Sequence, residues 1–377
     1  MLDRRALLTA DTSGWPVVRN QDIAYGRLPD VHTEGALDFV QGVEKLNMGA
    51  HARAADVQAD AILVAAGHEI GAPMTTAQAL DLFAHEPIIA TRYKAYLDTQ
   101  RLKMRLVSAA LAPHRDHYRD LLDEAASRGP GSLTLDANFV VPDYARHELH
   151  MQPGGYVGDE LAGYVFHYAI VGIGSGHHLH NETHESIASV VPAPSDGKVR
   201  RILELGCGIG QLSTAMKDRF PDAEVWGIDT SAPMLRYAHM TSVGIGAEIH
   251  YSQQSAERMD FPDDHFDIIT ASGLFHEIAP AATRAIIPEV ARVLRPGGTF
   301  YPLDLYTAGS MKVKEDAKSR FATWISARWY HEDWRNDYAE IDLPREIREA
   351  GLQAIENGPG LRLSPVSIPN LMAVKTV

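Results

Sequence analysis

The chain has 377 residues, with 35 Lys and Arg against 49 Asp and Glu, a formal charge of −14, and 45% hydrophobic and 22% charged residues. This is the composition of an ordinary globular protein too long for one core, so two domains are expected, and the acidic balance without a Lys/Arg stripe argues against a nucleic-acid partner. There is no apolar run of about 18 or more residues, no signal-peptide pattern behind Met1-Leu-Asp-Arg-Arg, and a single cysteine, Cys207, so the expectation is a cytoplasmic chain that neither spans a membrane nor holds an internal disulfide.

In residues 35–66 and 75–127, alanines and leucines recur at helical rather than alternating spacing, and Thr75 with Gln78 reads as a capping box. The short basic run from Arg101 to Arg105 alternates with Leu102 and Met104, as a solvated helix face does beside a buried one. Gly129-Pro-Gly131 stops the last helix, and residues 132–158, rich in Pro, Gly and Tyr, read as a connector or lid. The expected division is a helical N-terminal domain at 1–150, a connector and lid helix at 151–197, and a second domain at 198–377.

The connector carries the aromatic run Tyr156, Tyr164, Phe166, His167, Tyr168. Tyr164, His167 and Tyr168 are taken as candidate substrate contacts, against the plainer reading that they pack a core or lid. Next comes Gly174-Ser-Gly-His-His-Leu-His-Asn-Glu-Thr-His-Glu185. His180 and His184, four apart, would share a helix face, and His177 or Glu185 could add a ligand, but no further motif completes a metal set. The reading is a solvated, histidine-rich helix entry, with no metal expected.

Arg201-Ile-Leu-Glu-Leu-Gly-Cys-Gly-Ile-Gly-Gln211 is an apolar strand that runs into a glycine turn and then a helix. Its spacing is G-x-G-x-G, with Gln211 where a dinucleotide fingerprint would place its third glycine. That favours a cofactor without a pyrophosphate, S-adenosylmethionine being the candidate. Ala223-Glu-Val-Trp-Gly-Ile-Asp229 is a second strand ending in a carboxylate suited to a ribose diol. Thr230 to Ala238 starts a helix with Ser231 as cap and Pro233 in its first turn. Ile249 opens a third strand, a fourth runs from about Phe266 to Ala271, and a helix through Val290 is expected to end at Pro296-Gly297-Gly298, before a fifth. Pro302 inside that fifth strand calls for a bulge or an early strand end.

Taken in order, Glu204-Leu-Gly-Cys-Gly-Ile-Gly, Gly227-Ile-Asp, Ser255-Ala-Glu, Phe266-Asp-Ile-Ile and Leu294-Arg-Pro-Gly-Gly resemble a class I S-adenosylmethionine-dependent methyltransferase over roughly residues 160–377. The resemblance implies an α/β fold, a doubly wound, Rossmann-like, seven-stranded sheet behind the helical N-terminal domain. It places Glu204 near the methionine end of the cofactor, Gly206, Cys207, Gly208 and Gly210 in the turn beneath it, and Asp229 on the ribose, with Thr230 and Met234 beside it. Ser255, Ala256 and Glu257 fall at the adenine, where the family often has Asp in place of Ser255, and Ser272 and Gly273 follow the fourth strand. Small-molecule methyltransferases of this arrangement often close the substrate cavity and dimerise through the helical part, so a homodimer is an expectation by analogy.

Methyl transfer is an in-line displacement that asks the protein to align the acceptor, exclude water and, where needed, take a proton. His276, just beyond the fourth strand, is the candidate base, since an unperturbed imidazole titrates near neutrality, and Glu277 is second. Trp324 to Tyr338 holds three of the five tryptophans and reads as an acceptor-site wall, with Trp329 and Tyr330 as substrate candidates, or as glue between the halves. The expected function is methylation, O- or N-, of a small organic molecule in specialised metabolism. The competing readings are the same fold used for another reaction or none, an NAD-dependent oxidoreductase, and a protein-modifying or scaffold role for the helical half.

Overall fold

The computed structural model describes residue 28 and residues 31–171, 181–304, 315–360 and 369–376. The N-terminal part is helical: Val31–Leu46 and Ala52–Ala65, joined by a π turn, then Thr76–Phe83, Pro87–Leu111 and Arg115–Ala126. The capping box forms, with Gln78 N donating to Thr75 Oγ1 at 3.2 Å and Thr75 N donating to Gln78 Oε1 at 2.9 Å, which satisfies two donors at that helix start. Pro87–Leu111 has no such side-chain cap but carries Pro at its first position, where the missing N–H costs nothing. Its inner face buries Leu97, Met104, Val107 and Leu111. Lys103, also buried there, is paired with Glu44 of Val31–Leu46 at 3.1 Å.

The sheet is built from β1 (Ser132–Thr134), β2 (Arg201–Leu205), β3 (Glu224–Asp229), β4 (Ile249–Gln253), β5 (Phe266–Ser272), β6 (Leu294–Leu303), β7 (Leu352–Gly358) and β8 (Asn370–Lys375), in the order β1-β4-β3-β2-β5-β6-β8-β7. Strands β1 to β6 pair parallel and β8 runs antiparallel between β6 and β7. The strand order reverses direction at β2 and β5, so their carboxyl ends open the crevice where a doubly wound sheet takes its ligand. Helices on both faces demand apolar strands, and Ile202, Leu203 and Leu205 of β2 and Ile268 and Ile269 of β5 are fully buried.

The α/β expectation holds, with three differences of detail. The sheet has eight strands rather than seven, because the start of the connector adds β1 beside β4. The helix Pro280–Val293 ends before Leu294, and Pro296-Gly297-Gly298 lies inside β6 as an irregularity that shifts register from Phe266↔Leu294 to Ile268↔Thr299. Gly297 has φ 77°, which lets the strand absorb the extra residues. Pro302 stays within β6 because the antiparallel ladder with β8 covers only Thr299 and Phe300, so no β8 carbonyl waits for its missing N–H. Its carbonyl accepts instead from Asn370 Nδ2 at 3.0 Å.

The helical part shares its cores with the rest of the chain. Leu37, Met104, Val107 and Tyr118 pack with Tyr164, Met234 and Tyr237 in one buried cluster, and Leu63, Phe83 and Leu97 pack with Met151, Phe321 and Tyr330 in another. The sequence boundaries at 150 and 198 thus fall between residues that bury one another.

Candidate functional site

A cavity of about 290 Å³ lies at the carboxyl ends of β2, β3 and β5 and is covered by residues 144–170. Its size is at the lower end of the range for small-ligand sites, about 300–1,000 Å³.

One side is built by the glycine turn. Of the residues singled out by the sequence, Glu204, Gly206, Cys207, Gly208, Asp229, Thr230, Met234, Ala256, Ser272 and Gly273 line it. Gly208, at φ 51°, has nothing within 4 Å of where a Cβ would stand, so the turn presents open backbone to the cavity. Gly210 does not line it. Its φ of 77° begins the helix Gln211–Arg219, and a Cβ there would come within 2.2 Å of the Tyr251 hydroxyl, so this glycine serves packing. Ser255 and Glu257 also lie outside the lining: Ser255 Oγ donates to Glu257 Oε2 at 2.8 Å, the Tyr144 hydroxyl donates to the same oxygen at 3.2 Å, and Gln254 occupies the wall in their place.

Asp229 is half-buried, with Oδ2 accepting from Gly208 N at 2.9 Å and Oδ1 from Ser231 N at 2.8 Å. Burial raises its pKa, opposed by these backbone donors. Ser231 also caps the helix Ala232–Gly244, its Oγ accepting from Met234 N at 3.2 Å. Glu204, fully enclosed, accepts from Ser213 Oγ, and burial pushes its pKa up to about 8. A cationic group in the cavity would favour its ionised form. Cys207 is buried, and desolvation raises its thiol pKa well above the ordinary value, so it is inert packing and no nucleophile.

The opposite side holds a buried polar network. His276 sits in the single turn Phe275–Glu277 after β5, its Nδ1 2.6 Å from Asp304 Oδ1 at the end of β6, while Asp304 Oδ2 accepts from Phe275 N at 2.6 Å. Glu277 Oε1 lies 3.6 Å from His276 Nε2 and 3.3 Å from His150 Nε2. Glu332 Oε1 stands 3.4 Å from the same His150 nitrogen and is paired with Arg335. His150 Nδ1 is 2.6 Å from the Tyr156 hydroxyl. His150 has φ 54°, a left-handed backbone unusual outside glycine.

The charges decide the protonation of this network. Burial would lower the His276 pKa, but the Asp304 carboxylate, with Glu277 and Glu332, overrides it and raises the value to about 9. This raised value differs from the imidazole titrating near neutrality on which the sequence reading of a base rested. Burial raises the Glu277 pKa against the pull of His150 and His276. For Glu332, burial is outweighed by His150 and Arg335, which bring it down to about 2.

The expected substrate residues are largely elsewhere. Tyr164, His167 and Tyr168 are buried in the core between the helical part and the helix Ala232–Gly244, with Tyr164 against Tyr118 and Tyr237 and its hydroxyl on Met240 Sδ at 3.1 Å. His167, enclosed by the Tyr168 and Tyr237 rings, has its pKa lowered by desolvation to about 3. Helical periodicity turns these three inward, while Tyr156, Phe166 and Ile170 meet the cavity. Trp329 lines a separate surface groove with Trp324, Tyr93 and Phe321. Tyr330 stands one layer behind the cavity, its ring 4.9 Å from that of His150.

Of the histidine-rich segment, His177 and His180 lie outside the described residues, and His184 borders the cavity. Among the described residues no group of three or more His, Cys, Asp or Glu is placed to hold a metal ion, and no helix is long and apolar enough to cross a membrane. Asp304, His150 and Glu332 were not singled out by sequence. Asp304 had a signal, an acid at the carboxyl end of a parallel strand beside the crevice. The other two reach the site only through tertiary packing.

Comparison with known proteins places this geometry among relatives. The family described as a methyltransferase domain matches residues 202–298. A demethylmenaquinone methyltransferase of Thermus thermophilus is 36% identical over 105 residues, 28% of this chain and 47% of the relative. A ubiquinone/menaquinone biosynthesis C-methyltransferase of Cupriavidus necator is 31% identical over 169 residues, 41% of this chain and 68% of the relative. A ubiquinone biosynthesis O-methyltransferase of Alkalilimnicola ehrlichii is 28% identical over 169 residues, 45% of this chain and 66% of the relative. The chain thus spans from about half to about two thirds of the length of these relatives.

Proposed function

This chain belongs to the class I S-adenosylmethionine-dependent methyltransferases, and on that premise we propose that it methylates an oxygen or nitrogen of a small, flat organic acceptor held between the glycine turn and His276. The observation that carries the reading is that one cavity is lined both by Gly206, Gly208 and Asp229 and by His276, with the apolar side chains of Leu149, Tyr156, Phe166, Ile170 and Leu274 between. Such a wall suits an aromatic or otherwise apolar body, and the relatives whose names say that they serve quinone biosynthesis support an acceptor of that shape.

The bound cofactor supplies a methyl group already activated by its sulfonium. The residues present fit it: an open backbone turn at Gly208, a carboxylate at Asp229 for a diol, and Glu204 as a buried carboxyl beside the turn whose ionised form a cationic group would favour. The family pattern assigns the adenine to Ala256 and its neighbours. On the acceptor side, Asp304 fixes the His276 ring through Nδ1 and leaves Nε2 for the acceptor's proton. Because three carboxylates hold His276 protonated, Nε2 accepts only after its own proton has left, and turnover should rise with pH toward about 9. The aromatic walls exclude water while this occurs.

The role in specialised metabolism is an extension of this reading. So is a homodimer through the helical part, which the exposed Val31, Phe39, Leu46 and Met48 of neighbouring turns support. Light scattering at micromolar protein decides the dimer. The test of function is methyl-labelled S-adenosylmethionine offered with a panel of phenols and aromatic amines. Label on oxygen or nitrogen supports the reading, label on a ring carbon moves it to C-methylation, and no labelled product rejects it.

A further inference from the structure

Resting on that reading, we propose that His150 and Glu277 form a proton relay that empties His276 before each transfer and leads the acceptor's proton away from the cavity. The placement of the atoms carries this. Glu277 Oε1 stands between two imidazoles, 3.6 Å from His276 Nε2 and 3.3 Å from His150 Nε2, and Glu332 Oε1 stands 3.4 Å beyond. The row is anchored at both ends, by Asp304 on His276 Nδ1 at 2.6 Å and by Arg335 on Glu332. His150 is held in it from its other nitrogen by the Tyr156 hydroxyl at 2.6 Å and from its face by Tyr330. Its left-handed backbone is maintained at a position that both lines the cavity and meets two acids, the kind of place where local strain is retained for function.

The proton balance is simple. The proton on His276 Nε2 passes to Glu277 Oε1 when a side-chain adjustment closes their 3.6 Å separation to hydrogen-bonding distance, leaving a neutral imidazole. The acceptor's N–H or O–H proton then moves to His276 Nε2 as its lone pair takes the methyl group. Glu277 hands its proton to His150 Nε2, and Glu332 with Arg335 balances the imidazolium formed there until solvent removes one proton per turnover. Among the described residues, the other titratable groups against His150 and His276 are the two tyrosines named and Asp304. The neighbouring His147 has both ring nitrogens on backbone carbonyls, of Tyr144 and His331, and stays out of the row. His150 acts through Glu277 and not on the acceptor itself.

The experiment uses the whole chain carrying His150→Asn, since Asn tolerates a left-handed backbone, with Glu277→Gln as the second variant. In wild type, carbon-13 NMR of labelled histidine should give His276 a two-step titration coupled to His150. Each variant should reduce it to one step, displaced by about half a pH unit or more. With an acceptor found in the labelling screen, His150→Asn should lower kcat at neutral pH about tenfold, with the loss shrinking as the pH rises toward 9, and leave KM and S-adenosylhomocysteine affinity unchanged. An unaltered His276 titration, or a loss of kcat equal at every pH, overturns the relay. Failure of wild type to label any acceptor overturns the methylation reading instead, and the NMR result still decides the relay.

Discussion

The cavity wall that carries Glu204, Gly208 and Asp229 is written in one stretch of chain, from β2 to the end of β3. The wall that carries His276 is gathered from four places, with His150 in the connector, Glu277 after β5, Asp304 after β6 and Glu332 beyond the helix Ala317–Trp329. The first depends on backbone shape and on carboxylates at strand ends, which the sheet positions by itself. The second depends on side chains meeting across elements, and its chemistry depends on how many buried charges are brought together. A fault in the first should remove cofactor binding whole, whereas a fault in the second should change rate and pH dependence and leave binding intact.

The sharpest test of that contrast has His276→Ala lowering kcat by about 100-fold to 1,000-fold while S-adenosylhomocysteine affinity, by calorimetry, moves less than threefold. Equal losses of both would merge the two walls into one unit. Asp229→Ala should do the reverse, weakening the same affinity about 100-fold, as expected for two lost hydrogen bonds to a charged group. Near-normal affinity in that variant would remove the ribose assignment.

Asp304→Asn should lower the His276 pKa from about 9, since burial is then opposed by one carboxylate fewer. Histidine NMR reads this directly, and an unchanged titration would mean that Asp304 does not set the charge of the site. The sign for stability follows: the folded pKa lies above the unfolded one, so His276 stabilises fully below about 6.5 and the contribution is lost as pH rises through about 9.

Glu204 has the same sign over a lower pH window. With a folded pKa of about 8 against 4.5 unfolded, the native state binds the extra proton between those values, and stability falls as pH rises from 4.5 through 8. Glu204→Gln should flatten that slope in thermal melts at pH 5 and 8, and an unchanged slope would argue that the carboxyl is ionised throughout. The smallest effect expected is for Trp329→Ala, which should leave turnover within about twofold, because the ring lies on the outer groove. A large loss would restore Trp329 to the acceptor wall.

The glycine turn and the strand carboxylates were legible because a parallel sheet converts short sequence patterns into fixed positions. Ser231, Met234 and Gly273 followed from the same register. Gly210, Ser255 and Glu257 lie outside the lining, a difference that motif spacing does not resolve. Tyr164, His167 and Tyr168 were aromatic and close to the site in sequence, but on a helix a shift of two residues changes the face, and Phe166 and Ile170 took the positions that face the cavity.

By itself the sequence determined the α/β fold, the cofactor and the strand end that bears His276, since each rests on local hydrophobic periodicity, glycine geometry or an acid at a strand terminus. Only the tertiary structure decided that the His276 pKa is raised, that His150 and Glu332 share its surroundings, and that Trp324 and Trp329 line an outer groove. Those outcomes depend on burial and on distances between residues far apart in the chain, and electrostatic energy in a low-dielectric site follows those distances and not sequence separation.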